Sequence, residues 1–304
     1  MTMKEKILYD DHEGEWEKAL SDKDRIRVAN TWLDQSSTLD RWRHERIFTL
    51  LKPIVEFDNE MSWLTVGDGR FGTDANALSR LGATQVMCSD ISDKLLKVGK
   101  KRGFIKDYSA QNAESLTFNN DKFDFTLCKE AYHHFPRPHI ALHEMLRVSK
   151  LGIVLIEPLD DQVHTTLLGR LIPIIKKCLG KSYNKNGHKF EEVGNYVFSI
   201  SERELEKVQL GMHRRFIAYK YINDCYEPGF EFVKLNSTDK ADIKKIRKAK
   251  FVIKTRDFLS RLNLITPHLL AAILFKEEPS SKLVYHLKKS GWRFKTLPRN
   301  PYLK

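Results

Sequence analysis

The chain has 304 residues, 41% hydrophobic and 30% charged, which is enough apolar side chain for a buried core and excludes a disordered protein. No run reaches the roughly 18–20 unbroken apolar residues of a membrane span, and the first residues, MTMKEKILYDDHEGEWEK, lack a signal-peptide core, so a cytoplasmic protein is expected. Residues 1–160 carry 23 Lys and Arg against 26 Asp and Glu, a net of −3, whereas 161–304 carry 29 against 14, a net of +15. That asymmetry suggests an anionic partner for the second half, with a lysine-rich solvated surface as the plainer alternative.

In chain order, the first sixty residues read as helices. Ile26, Val28 and Trp32, then Trp42, Ile47, Leu50 and Leu51, recur at helical spacing, and Pro53 is expected to end the run. From Met61 short apolar runs alternate with helical patterns. Strands are predicted at 63–66, 84–88, weakly at 104–108, then at 123–128 and 152–156. Helices are predicted at 74–81, 93–102 and 140–148, the first two closed by Gly82 and Gly103. Strand alternating with helix predicts an α/β fold around a doubly wound, mostly parallel sheet. Past Glu157-Pro158 a largely helical insertion is expected, with a capping box at Ser201-Glu202-Arg203-Glu204. The final HLLAAILFKE, SSKLVYHLKKSG and WRFKTLP read as strand, helix and strand that rejoin the sheet. The organisation is then an N-terminal helical cap (1–60), a cofactor-binding α/β core (61–158), a substrate-binding insertion (159–267) and closing strands (268–304). Four scattered cysteines with no C-x-x-C pair read as small hydrophobes rather than disulfides or a zinc site.

VGDGRFGTDA (66–75) follows the first strand and contains G-x-G-x-x-G at Gly67, Gly69 and Gly72. Glycines there let backbone approach a ligand closely, and the next helix presents unpaired N–H groups. Asp90, ending the second strand, stands where a carboxylate can take both hydroxyls of a ribose. A nucleoside-containing ligand follows, and both NAD and S-adenosylmethionine fit so far.

Three downstream segments separate them. QNAESLTF (111–118), DKFDFTLCKEAYHHFPRP (121–138) and GIVLIEP (152–158) resemble, in order and separation, the motifs of class I S-adenosylmethionine-dependent methyltransferases. The resemblance covers about 61–157 and, more loosely, the closing strands. It implies that Gly67, Asp68 and Gly69 pass beneath the methionine part of S-adenosyl-L-methionine, with Gly72 in the same turn. It also implies that Asp90 holds the ribose and that Asn112, Ala113 and Glu114 flank the adenine. Cys128 and Lys129 would lie beside the methionine moiety and the transferable methyl. Two departures stand out: Thr65 occupies a position often acidic in the family, and the third glycine is displaced by one, Phe71 taking its usual place. Asp68 is expected to supply the missing charge for the cofactor's ammonium group.

Methyl transfer to a hydroxyl needs alignment and a base. Lys129-Glu130-Ala131-Tyr132-His133-His134 gathers ionisable groups at a strand end, and His133 is the expected base. Glu130 would orient it or the substrate, and His134 is the alternate; either histidine could instead only hold the loop. Glu130-x-x-His133-His134 also resembles the E-x-x-E-H segment of some metal-dependent O-methyltransferases, which His164 or Asp161 would complete. The metal-free reading is preferred because ordinary family members with paired histidines bind none.

Residues 240–264 combine nine Lys and Arg with spaced apolar residues, as a helix on an anionic membrane or against a phosphate-bearing substrate would. One apolar stripe packed on the domain explains them equally. Tyr196, Phe198, Tyr219, Tyr221 and Tyr226 could form a sugar-stacking lid, although most of them should be core. FEEVGNY and SEREL resemble methyltransferases of bacterial surface-polysaccharide pathways, which implies a saccharide or other anionic small-molecule or glycan acceptor. The alternatives are an RNA methyltransferase, although no RNA-binding module is recognisable, an NAD-dependent dehydrogenase, and a non-catalytic binding protein.

Overall fold

The structure, a computed structural model, describes residues 22–163 apart from Gln35, residues 196–302, and Thr166, Cys178 and Phe190. Its sheet grows from short apolar runs whose alternate side chains are buried on opposite faces. Trp63, Phe125, Leu127, Ala271 and Ile273 belong to one hydrophobic layer, and Leu64, Cys128, Leu155, Leu270 and Ala272 to the other. The strands are β1 (Ser62–Val66), β2 (Gln85–Asp90), β3 (Asp107–Ala110), β4 (Phe123–Lys129) and β5 (Ser149–Pro158). β6 (Phe216–Ile222), β7 (Leu269–Phe275) and β8 (Arg293–Thr296) complete them. Among the described residues the order is β3-β2-β1-β4-β5-β7-β6-β8. β1 to β5 are parallel; β7 runs antiparallel between β5 and β6, and β8 runs antiparallel to β6.

The helices supply both covers. α1 (Lys23–Leu33), α2 (Leu39–Phe48) and the short α3 (Lys52–Val55) precede the sheet, and α4 (Thr73–Leu81), α5 (Lys94–Lys101) and α6 (Pro138–Val148) connect its parallel strands. α7 (Glu202–Gly211), α8 (Lys240–Arg261) and α9 (Ser281–Lys289) follow. Ile47, Leu78, Leu283 and Leu287 of α2, α4 and α9 pack on the first face, and Leu142, Met145 and Leu205 of α6 and α7 on the second.

Three expectations are corrected. Pro53 does not end the N-terminal run: it lies in the first turn of α3, where a missing N–H costs nothing. The third strand is displaced to Asp107–Ala110, because Phe104 and Ile105 are buried with Leu95, Leu96 and Phe71 around α5 instead. The 159–267 segment is not simply helical. FIAYKYI forms β6 inside the sheet, with Ile217, Ala218 and Tyr219 buried. The capping box appears as expected, Ser201 Oγ accepting from the Glu204 amide at 3.2 Å.

Candidate active site

The strand order reverses at β1, which lies between β2 and β4, and open α/β sheets bind ligands outside the strand ends at such a point. A cavity of about 1140 Å³ opens there. Its floor is the loop after β1, Asp90 at the end of β2, and residues 111–114, 129–131 and 133–136; residues of α1 and α2, with Tyr226 and Glu231, complete the lining.

The β1 loop is held from within. Asp68 is buried, and its carboxylate accepts from the Asp74 amide at 3.0 Å, the Ala75 amide at 2.9 Å and Thr65 Oγ1 at 2.9 Å. It thus caps the N-terminus of α4. Burial pushes its carboxyl up to about 6 against the pull of those donors. Both oxygens are engaged with α4 and with Thr65, the residue standing at the position often acidic in the family, and Asp68 still borders the cavity. Gly67 (φ +76°) and Gly72 (φ +79°) both need the left-handed region. A Cβ at Gly67 would fall 2.5 Å from Ala131 Cβ, so this glycine lets the β1 loop and the 130–135 segment close together. Gly72 does not line the cavity; a Cβ there would meet Ile105 at 2.6 Å, and its role is packing.

Asp90 faces the cavity and is nearly buried, its Oδ1 accepting from the Ser92 amide at 3.0 Å. Burial raises its carboxyl to about 6, opposed by the amides of Ser92, Gly69 and Ile91. Gln111, Asn112, Ala113 and Glu114 continue the same wall. The Glu114 carboxylate accepts from the Arg137 amide at 2.8 Å and Arg137 Nε at 2.6 Å, tying this loop to the segment after β4.

At the end of β4 one lysine serves two carboxylates. Lys129 Nζ lies 2.8 Å from Glu130 Oε2 and 3.7 Å from Asp74 Oδ1. Burial opposes the Lys129 charge, but Asp74 and Glu130 outweigh it and raise its pKa. For Glu130 burial is likewise overcome, chiefly by Lys129, and its carboxyl is pulled down to about 2. Asp74 takes the opposite course: burial pushes it up to about 8 despite Lys129, with the charges of Asp68 and Glu130 adding to the rise. Glu130 itself sits at φ +50°. A non-glycine residue in that conformation is characteristic of sites whose surroundings over-determine the backbone.

Glu130 does not orient His133. That partner is Glu157 at the end of β5, whose Oε2 lies 2.6 Å from His133 Nδ1. Glu157 Oε1 accepts from the Ala131 and Tyr132 amides at 3.0 and 2.9 Å, and the residue is fully buried. A carboxylate accepts here, so Nδ1 of the imidazole is the nitrogen that carries a proton toward Glu157. The His134 ring lies against His133 with centroids 3.9 Å apart and the planes tilted by 42°. Lys129 lines the cavity, but Cys128 does not: alternation along β4 turns its thiol into the core, 3.9 Å from Glu157 Oε1. The residues of the alternative metal reading lie against different partners, Glu130 facing Lys129 and His133 facing Glu157. Among the described residues no three His, Cys, Asp or Glu side chains converge on a cation, and His164 lies outside them.

Residues 64–156 match the family model described as "Methyltransferase domain". This stretch spans the glycine loop, Asp90, the 111–114 wall and the histidine pair. Residues 64–156 are a class I methyltransferase domain. Over 112 residues the chain is 35% identical to the demethylmenaquinone methyltransferase of Paenarthrobacter aurescens, covering 34% of this chain and 44% of that protein. It is 24% identical over 156 residues to the mitochondrial 2-methoxy-6-polyprenyl-1,4-benzoquinol methylase of Xenopus laevis, covering 47% and 49%. The chain thus spans about half the length of these curated relatives. Among solved structures, the YcgJ protein of Bacillus subtilis is 20% identical, with a TM-score of 0.46 over 78% of this chain and 99% of that one.

Opposite the methyltransferase domain's strand ends stands a wall that sequence reasoning missed. His44 of α2 lies 3.7 Å from Glu130 Oε2 through Nδ1 and 3.9 Å from Asp40 Oδ1 through Nε2. Burial, with Lys129 nearby, keeps its pKa well below the usual histidine value, so the ring is neutral at pH 7. Arg43 pairs with Asp40 and binds both oxygens of Asp224, through Nη2 and, at 3.1 Å, through Nε. Tyr226 lies under the Arg43 guanidinium at 4.9 Å and donates to Glu231 Oε1 at 2.6 Å. Of the five aromatics weighed as lid or core, Tyr226 is the one on the cavity wall; Tyr219 and Tyr221 bond to Glu202 from β6. The signal available for α2 was its charge at helical spacing, which reads equally as a solvated face. The basic residues of α8 do not line the cavity.

Proposed function

We propose that the protein is an S-adenosylmethionine-dependent methyltransferase that O-methylates a hydroxyl of a small polyhydroxylated acceptor of saccharide type. The observation that carries this reading is His133, backed by buried Glu157, in the same cavity as Asp90. The residues suit the cofactor: Asp90 for the ribose hydroxyls, residues 112–114 for the adenine, and the close approach of Gly67 and Gly69 for the methionine portion. Asp74, with its raised pKa, is the carboxyl that would answer a cationic ligand, since a positive charge beside it favours loss of its proton. When bound, S-adenosylmethionine supplies an electrophilic methyl on a sulfonium. His133 Nε2 takes the acceptor's proton as the hydroxyl oxygen attacks, and buried Glu157 stabilises the resulting imidazolium. Glu130, ionised down to about pH 2 and paired with Lys129, is too weak a base for that task and positions the wall instead. Asp40, Glu231 and Tyr226 supply hydroxyl acceptors and a ring face, the combination that sugars use.

A negatively charged acceptor rests on the net +15 of 161–304, yet the cavity lining interleaves Asp40, Asp74, Glu130 and Glu231 with Arg25, Arg43, Arg70 and Lys129, with no excess of cations. A neutral polyol suits that wall better than an anion. The names of the matched relatives favour a second reading, a quinone-type acceptor. Incubation with methyl-labelled cofactor and fractionated cell extract separates them. Label on carbohydrate-bearing molecules, lost in His133→Ala while that variant still binds S-adenosylhomocysteine, is the expected result. Label confined to the extractable quinone fraction would promote the second reading, and labelled RNA or protein would overturn both.

A further inference from the structure

α8 buries one stripe and exposes the opposite one. Ile246 and Ala249 pack with Leu39, Phe230 and Val233, and the helix's two carboxylates lie on or near this inner side. Asp257 there meets Arg46 at 3.6 Å and Asn223 at 2.9 Å, and Asp242 stands one turn before Ile246. On the outer side Phe251, Phe258 and Leu262 are 69%, 61% and 54% exposed. Spaced seven and four apart, they form a single line along a helix about 33 Å long. Lys244 and Arg247 precede that line and Lys254 interrupts it, all three exposed. Beside Phe251 a groove is lined by Lys240, Ile243, Lys244, Arg247 and Lys248.

Large apolar side chains held in water without covering one another gain nothing from folding, so their placement asks for an external apolar phase. The narrow line with cations on each side narrows the choice. A partner helix wants a broader apolar face, whereas an interfacial helix wants apolar residues that enter the acyl boundary and cations at phosphate level. We infer that α8 docks the protein on an anionic phospholipid surface, Phe251, Phe258 and Leu262 entering the bilayer and Lys244, Arg247 and Lys254 meeting lipid phosphates. Phe230, on which the inner stripe packs, is flanked by Tyr226 and Glu231 of the cavity wall. Docking through α8 therefore sets the acceptor end of the cavity close to the membrane.

The inference rests on the surface of α8 and needs no particular acceptor, so it is tested without turnover. The full chain is sedimented with vesicles of phosphatidylcholine alone and with vesicles containing phosphatidylglycerol. Binding to the anionic vesicles, little to the neutral ones, and weakening with added salt is expected. Phe251→Ser with Phe258→Ser should lower partitioning on the order of tenfold or more. Lys244→Glu with Arg247→Glu and Lys254→Glu should lower it on the order of a hundredfold or more. Both variants should bind S-adenosylhomocysteine with unchanged affinity, which also shows that they fold. Failure to bind anionic vesicles overturns the inference. So does binding that ignores the phenylalanine changes, the mark of a purely electrostatic contact such as nucleic acid makes. Vesicle-independent self-association abolished by the phenylalanine changes would assign the stripe to a second copy of the chain instead.

Discussion

Two carboxylates at the strand ends have separable duties. Glu157 lies against His133 Nδ1 and also accepts two backbone amides, so Glu157→Gln keeps an oxygen for the amides but loses the charge that would steady an imidazolium. A fall of about 10²–10⁴-fold in kcat with little change in cofactor affinity is expected from stopped-assay kinetics and calorimetry on the same variant. Asp90 gives a pH dependence. Its carboxyl is raised to about 6, and in the proposed role only the ionised form would accept from two ribose hydroxyls. Above pH 6 the site is ready; below it a proton must leave on binding, so the Kd for S-adenosylhomocysteine should rise roughly tenfold per pH unit as the pH falls. Asp90→Asn should flatten that profile and weaken binding at pH 8 by about 1.5–3 kcal/mol. A sloping profile that survives in the asparagine variant would assign the titration to another group.

Among the elements, the turn after β1 shows how one glycine motif serves two purposes. Gly67 and Gly72 share a left-handed backbone, but an added Cβ meets Ala131 in the first case and Ile105 in the second. Each alanine variant should lose roughly 1–3 kcal/mol by overpacking, read from the midpoint of urea unfolding. Only Gly67→Ala, by displacing the 130–135 segment, should also weaken cofactor binding in the folded protein. Spacing alone presents the two glycines as equivalent. The difference appears only once the segment after α5 and the segment after β4 are brought against the turn.

Across the whole molecule, Arg43 joins α2 to the C-terminal half. Buried, it pairs with Asp40 of its own helix and with both oxygens of Asp224, which follows β6. Arg43→Met would leave two buried carboxylates without their counter-charge and should destabilise the fold by about 3–5 kcal/mol in equilibrium denaturation. Double replacement of Asp40 and Asp224 by asparagine in that background should recover part of the loss, whereas a merely steric role for Arg43 predicts no recovery.

Local pattern determined much of this protein. The five parallel strands, the helices between them and the Gly67–Asp90–His133 frame were legible because each rests on short-range periodicity and on residue types with few other uses. β6 was not, since FIAYKYI mixes polar and aromatic residues and becomes a strand only when β7 and β8 flank it. Tertiary structure alone decided which carboxylate orients His133, that Asp68 caps α4 while Asp74 faces the cavity, and that α2 supplies His44 and Arg43 to the opposite wall. Those outcomes depend on side chains far apart in sequence meeting in a low-dielectric space. There burial and a neighbour's charge fix each group's protonation, and neither quantity exists before the chain folds.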